Sequence, residues 1–145
     1  MNAALHLKPN HQAVRAFFQE LTTLQHAHAH HEGAVAPAFA ALLRVCASQM
    51  PGWKLVEQYA IQRDGRRPIR VDGAILDGFE LRLGIWEAKD RQDDLGREIT
   101  RKFAEGYPKD NILFQTPDRL VLWQTGREVF DAPIEEHAPK GLDDE

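Results

Sequence analysis

Apolar positions along this chain recur first at helical spacing, then at the alternating spacing of strands, then at helical spacing once more. Val14, Phe17, Phe18, Leu21 and Leu24 follow Asn10, a suitable N-cap, and predict a helix over about residues 10–25. Val35, Phe39, Leu42, Leu43 and Cys46 form a second stripe, ended by Met50-Pro51-Gly52. Proline fits without a kink only in a helix's first turn, so Pro37 requires this helix to begin near Gly33 or to bend. Residues 53–61, 68–76 and 81–89 have strand composition. Asp93 or Asp94 then caps a third helix bearing Leu95, Ile99 and Phe103, with Gly106 at its C-terminal cap and Pro108 beyond. Residues 111–115 and 120–124 are short strands around the turn Thr116-Pro117-Asp118, and residues 128–130 a last one.

Helix, helix, three strands, helix and two or three further strands predict an α/β layered domain, in which the third helix carries the chain across a sheet. At 145 residues there is room for one domain, expected over residues 1–133, with the polar, acidic stretch 134–145 as a tail or the start of a linker. A single cysteine, Cys46, excludes an internal disulfide, and no signal peptide or membrane-length apolar run is present, so a cytoplasmic setting is expected. The net charge of −4 argues against an autonomous high-affinity nucleic-acid binder. Its distribution qualifies that: Arg63, Arg66, Arg67 and Arg70 cluster in one segment, Arg97, Arg101 and Lys102 in another, and five acids fall in the last eleven residues.

Between the two basic clusters lie Asp72 and, after 14 intervening residues, Glu87-Ala88-Lys89. Acid, acid and lysine at such spacing suit metal-dependent phosphodiester hydrolysis. Mg²⁺ takes octahedral oxygen ligands and keeps several waters, so Asp72, Glu87 and the Ala88 carbonyl suffice as protein ligands. Lys89, two residues from Glu87, projects on the same side of a strand and can hold the attacking water. An acid-x-lysine triplet arises about once by chance in a chain this long. This one continues an apolar row, Leu81, Leu83 and Ile85, where charge is costly unless paired or bound to metal. A structural Glu87–Lys89 ion pair is the alternative. Asp72 can face Glu87 only if the turn is centred between Phe79 and Glu80, whereas a tight Asp77-Gly78 turn would set Leu83 opposite it; a wider loop or a bulge is therefore expected. Asp77 is the rival ligand. Glu32 shares the core-facing stripe of the second helix and suits a second metal or a metal-bound water, or else simply the helix dipole. His26, His28, His30 and His31 lack the partners of a zinc site and read as a solvated connection.

The set Asp72, Glu87-Ala88-Lys89 and Glu32 resembles the PD-(D/E)xK nuclease superfamily in its Mrr-like branch. More narrowly, His31-Glu32, Pro37-Ala38-Phe39, Gly84-Ile85-Trp86-Glu87-Ala88-Lys89-Asp90, Asp93-Asp94-Leu95, Glu98-Ile99, Lys102-Phe103 and Gly106-Tyr107-Pro108 with Asn111-Ile112-Leu113-Phe114 resemble the nuclease domain of single-chain Type ISP restriction-modification enzymes, over roughly residues 26–130. Val71 stands where the superfamily name has proline. The resemblance implies an αβββαβ core with a mixed sheet, an added N-terminal helix, and a Mg²⁺-dependent endonuclease in which Mn²⁺ can substitute. It implies double-stranded DNA as substrate, with Arg66, Arg67, Arg70 and Arg91 as candidates to hold phosphates. It also implies helicase-like ATPase and methyltransferase domains in the same polypeptide and transient pairing of nuclease domains. No GxxxxGK[ST] loop, hence no ATP site, occurs in these residues. A free-standing Mrr-like or junction-cleaving nuclease and a catalytically inactive DNA-docking module are the alternatives.

Overall fold

The computed structural model describes residues 12–29, 31–90 and 94–137. Asn10, His30, Arg91, Asp93 and the acidic stretch from 138 onward lie outside them. Helices α1 (Gln12–His26) and α2 (Glu32–Ser48) precede strands β1 (Lys54–Arg63), β2 (Arg66–Leu76) and β3 (Arg82–Ala88); α3 (Leu95–Ala104) leads into β4 (Ile112–Gln115), β5 (Arg119–Gln124) and β6 (Arg127–Pro133). The strands form one sheet in chain order. All neighbours are antiparallel except β3 and β4, which run parallel because α3 crosses one face before the next strand enters. α2 begins at Glu32, and Pro37, which lacks the N–H for the Gly33 carbonyl, lies inside it.

Each sheet face has its own core. Phe17, Phe18, Leu21, Val35 and Phe39 of α1 and α2 pack on Trp86 and Ala88, with the Phe39 and Trp86 rings 5.9 Å apart. Leu95 and Ile99 of α3 pack on Ile61, Ile69, Val71, Ile85, Ile112 and Phe114 on the other face. Burying each large side chain stabilises the fold by about 1.5–3 kcal/mol. β3 is thus covered on both sides from Ile85 to Ala88, and Glu87 is buried there.

In β1 and β2 the pleat reverses partway along. Leu55 packs with the α1/α2 core while Ile61 packs with that of α3, although an even offset along a regular strand would put both on one face. Val71 belongs to the α3 core, yet a side chain added at Gly73 would meet Trp86 and Leu55 on the opposite face. The reversal falls at Gln58 in β1, whose φ is +53°, and at Asp72 in β2. Glu57↔Gly73 and Tyr59↔Val71 keep a single register, so no residue is inserted there.

The β2–β3 register carries the expected irregularity. Gly73↔Trp86, Ala74↔Ile85 and Ile75↔Gly84 share one register, and the shift falls between Ile75 and Leu76. Continued past Gly73, that register sets Asp72 opposite Glu87. Two expectations differ from the structure. Leu81 lies outside β3 and is 63 % exposed, because Asp77 Oδ1 accepts the Phe79 and Leu81 amides at 2.8 and 3.0 Å and draws them into the turn. Ile134–His137, read as tail, forms a 3-10 turn in which Ile134 is 2 % exposed and donates its amide to the Asp118 carbonyl at 2.8 Å. One apolar residue among acids anchors that segment, and composition averaged over the stretch hid it.

Candidate active site

The regular β2–β3 ladder ends at Gly73↔Trp86, and beyond it the two acidic side chains span the opening. Glu87 Oε1 accepts the Asp72 amide at 3.0 Å, and Asp72 Oδ2 accepts the Ala88 amide at 2.8 Å. Each carboxylate therefore satisfies a backbone donor that the strands no longer pair, and retains a second oxygen for another partner. Trp86 and Ala88 face α1 and α2, so Glu87 faces α3 with Ile85. Lys89 faces that way too.

Helix α3 supplies the counter-charges. The Asp94 side chain caps it by accepting the Arg97 amide at 3.2 Å, which sets its first turn. Glu98 then stands 3.7 Å from Lys89 Nζ, and Lys102 Nζ stands 3.8 Å from Glu87 Oε2. At the far end Gly106 (φ +99°) donates to the Phe103 carbonyl and Tyr107 to the Lys102 carbonyl, the Schellman pattern. That closure folds Tyr107 back on the helix, with Lys102 Nζ 4.8 Å from its ring centre and 3.2 Å from its hydroxyl. The hydroxyl in turn donates to the Arg70 carbonyl at 3.4 Å.

Burial dominates the electrostatics. Glu87 is 3 % exposed, and desolvation followed by the nearby negative charge of Asp72 pushes its carboxyl up to about 7, against the opposing pull of Lys102, the Asp72 amide and Lys89. Tyr107 is pushed up to about 12, by burial first and then by Glu87. Glu98 is held below the ordinary carboxylate range by its hydrogen bond from Arg101.

Glu32, the first residue of α2, lies on the other side of β3 from the Glu87 carboxylate. It lines a cleft of about 230 Å³ with Glu57, Gln58, Asp72 and Ala88, so Asp72 is the residue common to both sides. Asp77, the rival ligand, braces the turn at the far end of the strands. Among the described residues no three His, Cys, Asp or Glu side chains converge as a metal-binding group, the described members of the histidine cluster included. Arg66, Arg67 and Arg70 are exposed on β2. Arg66 and Arg70 line a groove of about 560 Å³ that reaches Tyr107. Arg91 lies outside the described residues. Arg63, in the same groove, is spent on structure, donating to the Arg67 and Glu105 carbonyls.

No protein-family model matches the chain, and no curated protein does. A cryo-EM structure of a DrdV–DNA complex is similar to it, with a TM-score of 0.79 and 33 % identity, over 90 % of this chain and 13 % of that one. The fold is restriction-endonuclease-like. In this fold the observed order α2-β1-β2-β3-α3-β4 supplies the core, β5 and β6 extend the sheet, and α1 is the added helix.

Sequence reasoning left Lys102, Glu98, Tyr107 and Gln58 without roles in the chemistry. Glu98 and Lys102 are four apart, and one or three residues from the core residue Ile99, a spacing that could have marked them as bordering the buried face of α3. Gln58 carries no such signal.

Proposed function

We propose that this chain is a Mg²⁺-dependent endonuclease domain that hydrolyses DNA phosphodiester bonds in a restriction-modification enzyme of Type ISP-like organisation. The observation that carries the reading is the crossed pair Asp72 and Glu87 at the point where the ladder opens, with two lysines beside it. Like charges held together below the surface are unfavourable unless a cation joins them. The donor set consists of hard oxygens, two carboxylates and the Ala88 carbonyl, and suits Mg²⁺ with substrate oxygens completing the shell. When bound, the ion would supply charge neutralisation at the scissile phosphate and acidify the attacking water.

The residues of the chain divide the remaining work. Asp72 and Glu87 would hold the cation, their carboxylates steadied by the backbone amides they accept. Lys89, steadied by Glu98, binds the attacking water and offsets charge building on the phosphate. Lys102 favours the ionised form of Glu87 against burial, and Glu32 faces the cleft from α2 and assists through water. Arg66, Arg67 and Arg70 hold flanking phosphates, with Arg91 as a further candidate. Support for DNA as the partner comes from the DNA-bound relative. That relative's chain is far longer, in keeping with a helicase-like ATPase, a methyltransferase and a transient second nuclease domain acting with this one.

The test is relaxation or linearisation of supercoiled DNA by the full-length protein with Mg²⁺, and with Mn²⁺ in its place. Glu87→Ala and Lys89→Ala are each expected to lower cleavage about 100-fold or more. A Lys89→Ala protein that cuts as fast as wild type would sink the assignment. Cutting by residues 1–145 alone, without ATP, would favour a free-standing nuclease.

A further inference from the structure

We propose that Gln58 is a substrate-binding residue, whose carboxamide hydrogen-bonds the backbone of the DNA strand lying against the carboxylate pair. The inference rests on the nuclease reading above. Five non-glycine residues among those described have positive φ, and four of them, His28, Glu80, Asn111 and Thr125, lie outside the helices and strands, where the chain turns. Gln58 alone of the five lies within a strand. An L residue with a long side chain is strained there.

The backbone has a structural reason for the conformation, since the pleat of β1 reverses at this residue. Nothing in that reason calls for glutamine. Glycine adopts the same angles freely and asparagine tolerates them, so a packing role alone would be met at lower cost by either. Gln58 is exposed, and its carbonyl already has a partner in Arg70 Nη1 at 3.2 Å. What distinguishes it from the cheaper residues is therefore its side chain. Placed opposite Asp72 by the β1–β2 register, it lines the cleft shared by Glu32, Glu57, Asp72 and Ala88.

The chemistry of that cleft limits what the side chain can do. Glu57 is bridged to Arg44 at 2.6 Å, and Glu32 and Asp72 add further negative charge. A fourth acid would repel a phosphodiester, and a lysine would compete with a cation for the carboxylates. A carboxamide does neither: its Nε2–H donates to a phosphate or sugar oxygen while its Oε1 accepts from water.

Gln58→Gly and Gln58→Asn in the full-length protein separate this role from a purely structural one. Three measurements are needed: thermal midpoint, single-turnover cleavage with Mg²⁺, and Kd for a fluorescent duplex DNA without divalent cation. Gln58→Gly is expected to melt at or above the wild-type temperature, yet to cut about tenfold more slowly and bind DNA about tenfold more weakly, the loss of one hydrogen bond to a charged group. Gln58→Asn, which retains a carboxamide, is expected to recover part of both losses. Wild-type rate and Kd in Gln58→Gly would overturn the proposal, as would losses that track a fall in melting temperature and return no further with asparagine than with glycine. If the wild type binds DNA without cutting it, the nuclease reading fails and the Kd comparison alone decides the role of Gln58; a wild type that does not bind DNA overturns both.

Discussion

Glu87 shows how one buried charge can oppose stability and still be retained. Burial, and then the charge of Asp72, pushes its folded-state carboxyl up to about 7 from an ordinary 4.5. Between those values the folded chain holds a proton that the unfolded chain has released, so this group's contribution to stability is full below about pH 4.5 and declines as pH rises to about 7. The loss is on the order of 3 kcal/mol. Glu87→Gln keeps the acceptor for the Asp72 amide and removes the charge. Without divalent cation it is expected to melt above wild type at pH 8 and close to it at pH 4, by calorimetry, while cleavage is abolished. Lys102→Met removes the facing cation and should push Glu87 higher still, moving the acid limb of the pH–rate profile alkaline and lowering the rate at pH 7 about tenfold. That Asp72 and Glu87-Ala88-Lys89 come together was legible in the acid, acid, lysine spacing and in the charges that follow Ile85 on the same side of the strand. Lys102 was not: on sequence alone it is one more cation on a polar helix face, and only the sheet beneath shows what it faces.

At the level of elements, the site depends on the two ends of α3. Gly106→Ala would strain a residue at φ +99° and bring its Cβ to 3.1 Å from Arg63 Nη1, which braces the same corner. Urea denaturation is expected to show a loss of about 1–2 kcal/mol, with cleavage falling further than stability alone explains because Tyr107 no longer returns to Lys102. Gly73→Ala should cost about 1–3 kcal/mol, since the added carbon would lie 2.8 Å from Trp86 Cε3 with Leu55 on its other side. The elements themselves were largely readable from periodicity and caps, Asp94 and Gly106 included. The irregularity before the turn was readable as well, because Asp72 could meet Glu87 only through a wider loop or a bulge. The pleat reversal at Gln58 was not, because it depends on which helix covers each half of the strand, a tertiary fact with no local spacing.

Across the whole molecule, a net charge of −4 means that the proposed DNA binding would depend on where the cations are placed. Replacing both Arg66 and Arg67 by Ala is expected to weaken DNA binding uniformly across sequences and to reduce the slope of log K against log salt by about 2, measured by anisotropy at several salt concentrations. Among the described residues no helix is long and apolar enough to cross a membrane. The sequence conveyed the α/β layering; that Ile134, in the segment read as tail, packs with the α1/α2 layer was hidden by the acids around it.

The parallel pairing of β3 with β4 fixes when the site can exist. Lys89 donates its amide to the Gln115 carbonyl, and the Trp86 indole donates to the Gln115 side chain. One of the two neighbours of β3 is therefore supplied by residues that follow α3, so a nascent chain that has emerged only as far as Lys89 has the side chains of the candidate site without their scaffold. On the nuclease reading proposed above, a chain still on the ribosome is expected to gain the ability to cut only once β4 has emerged.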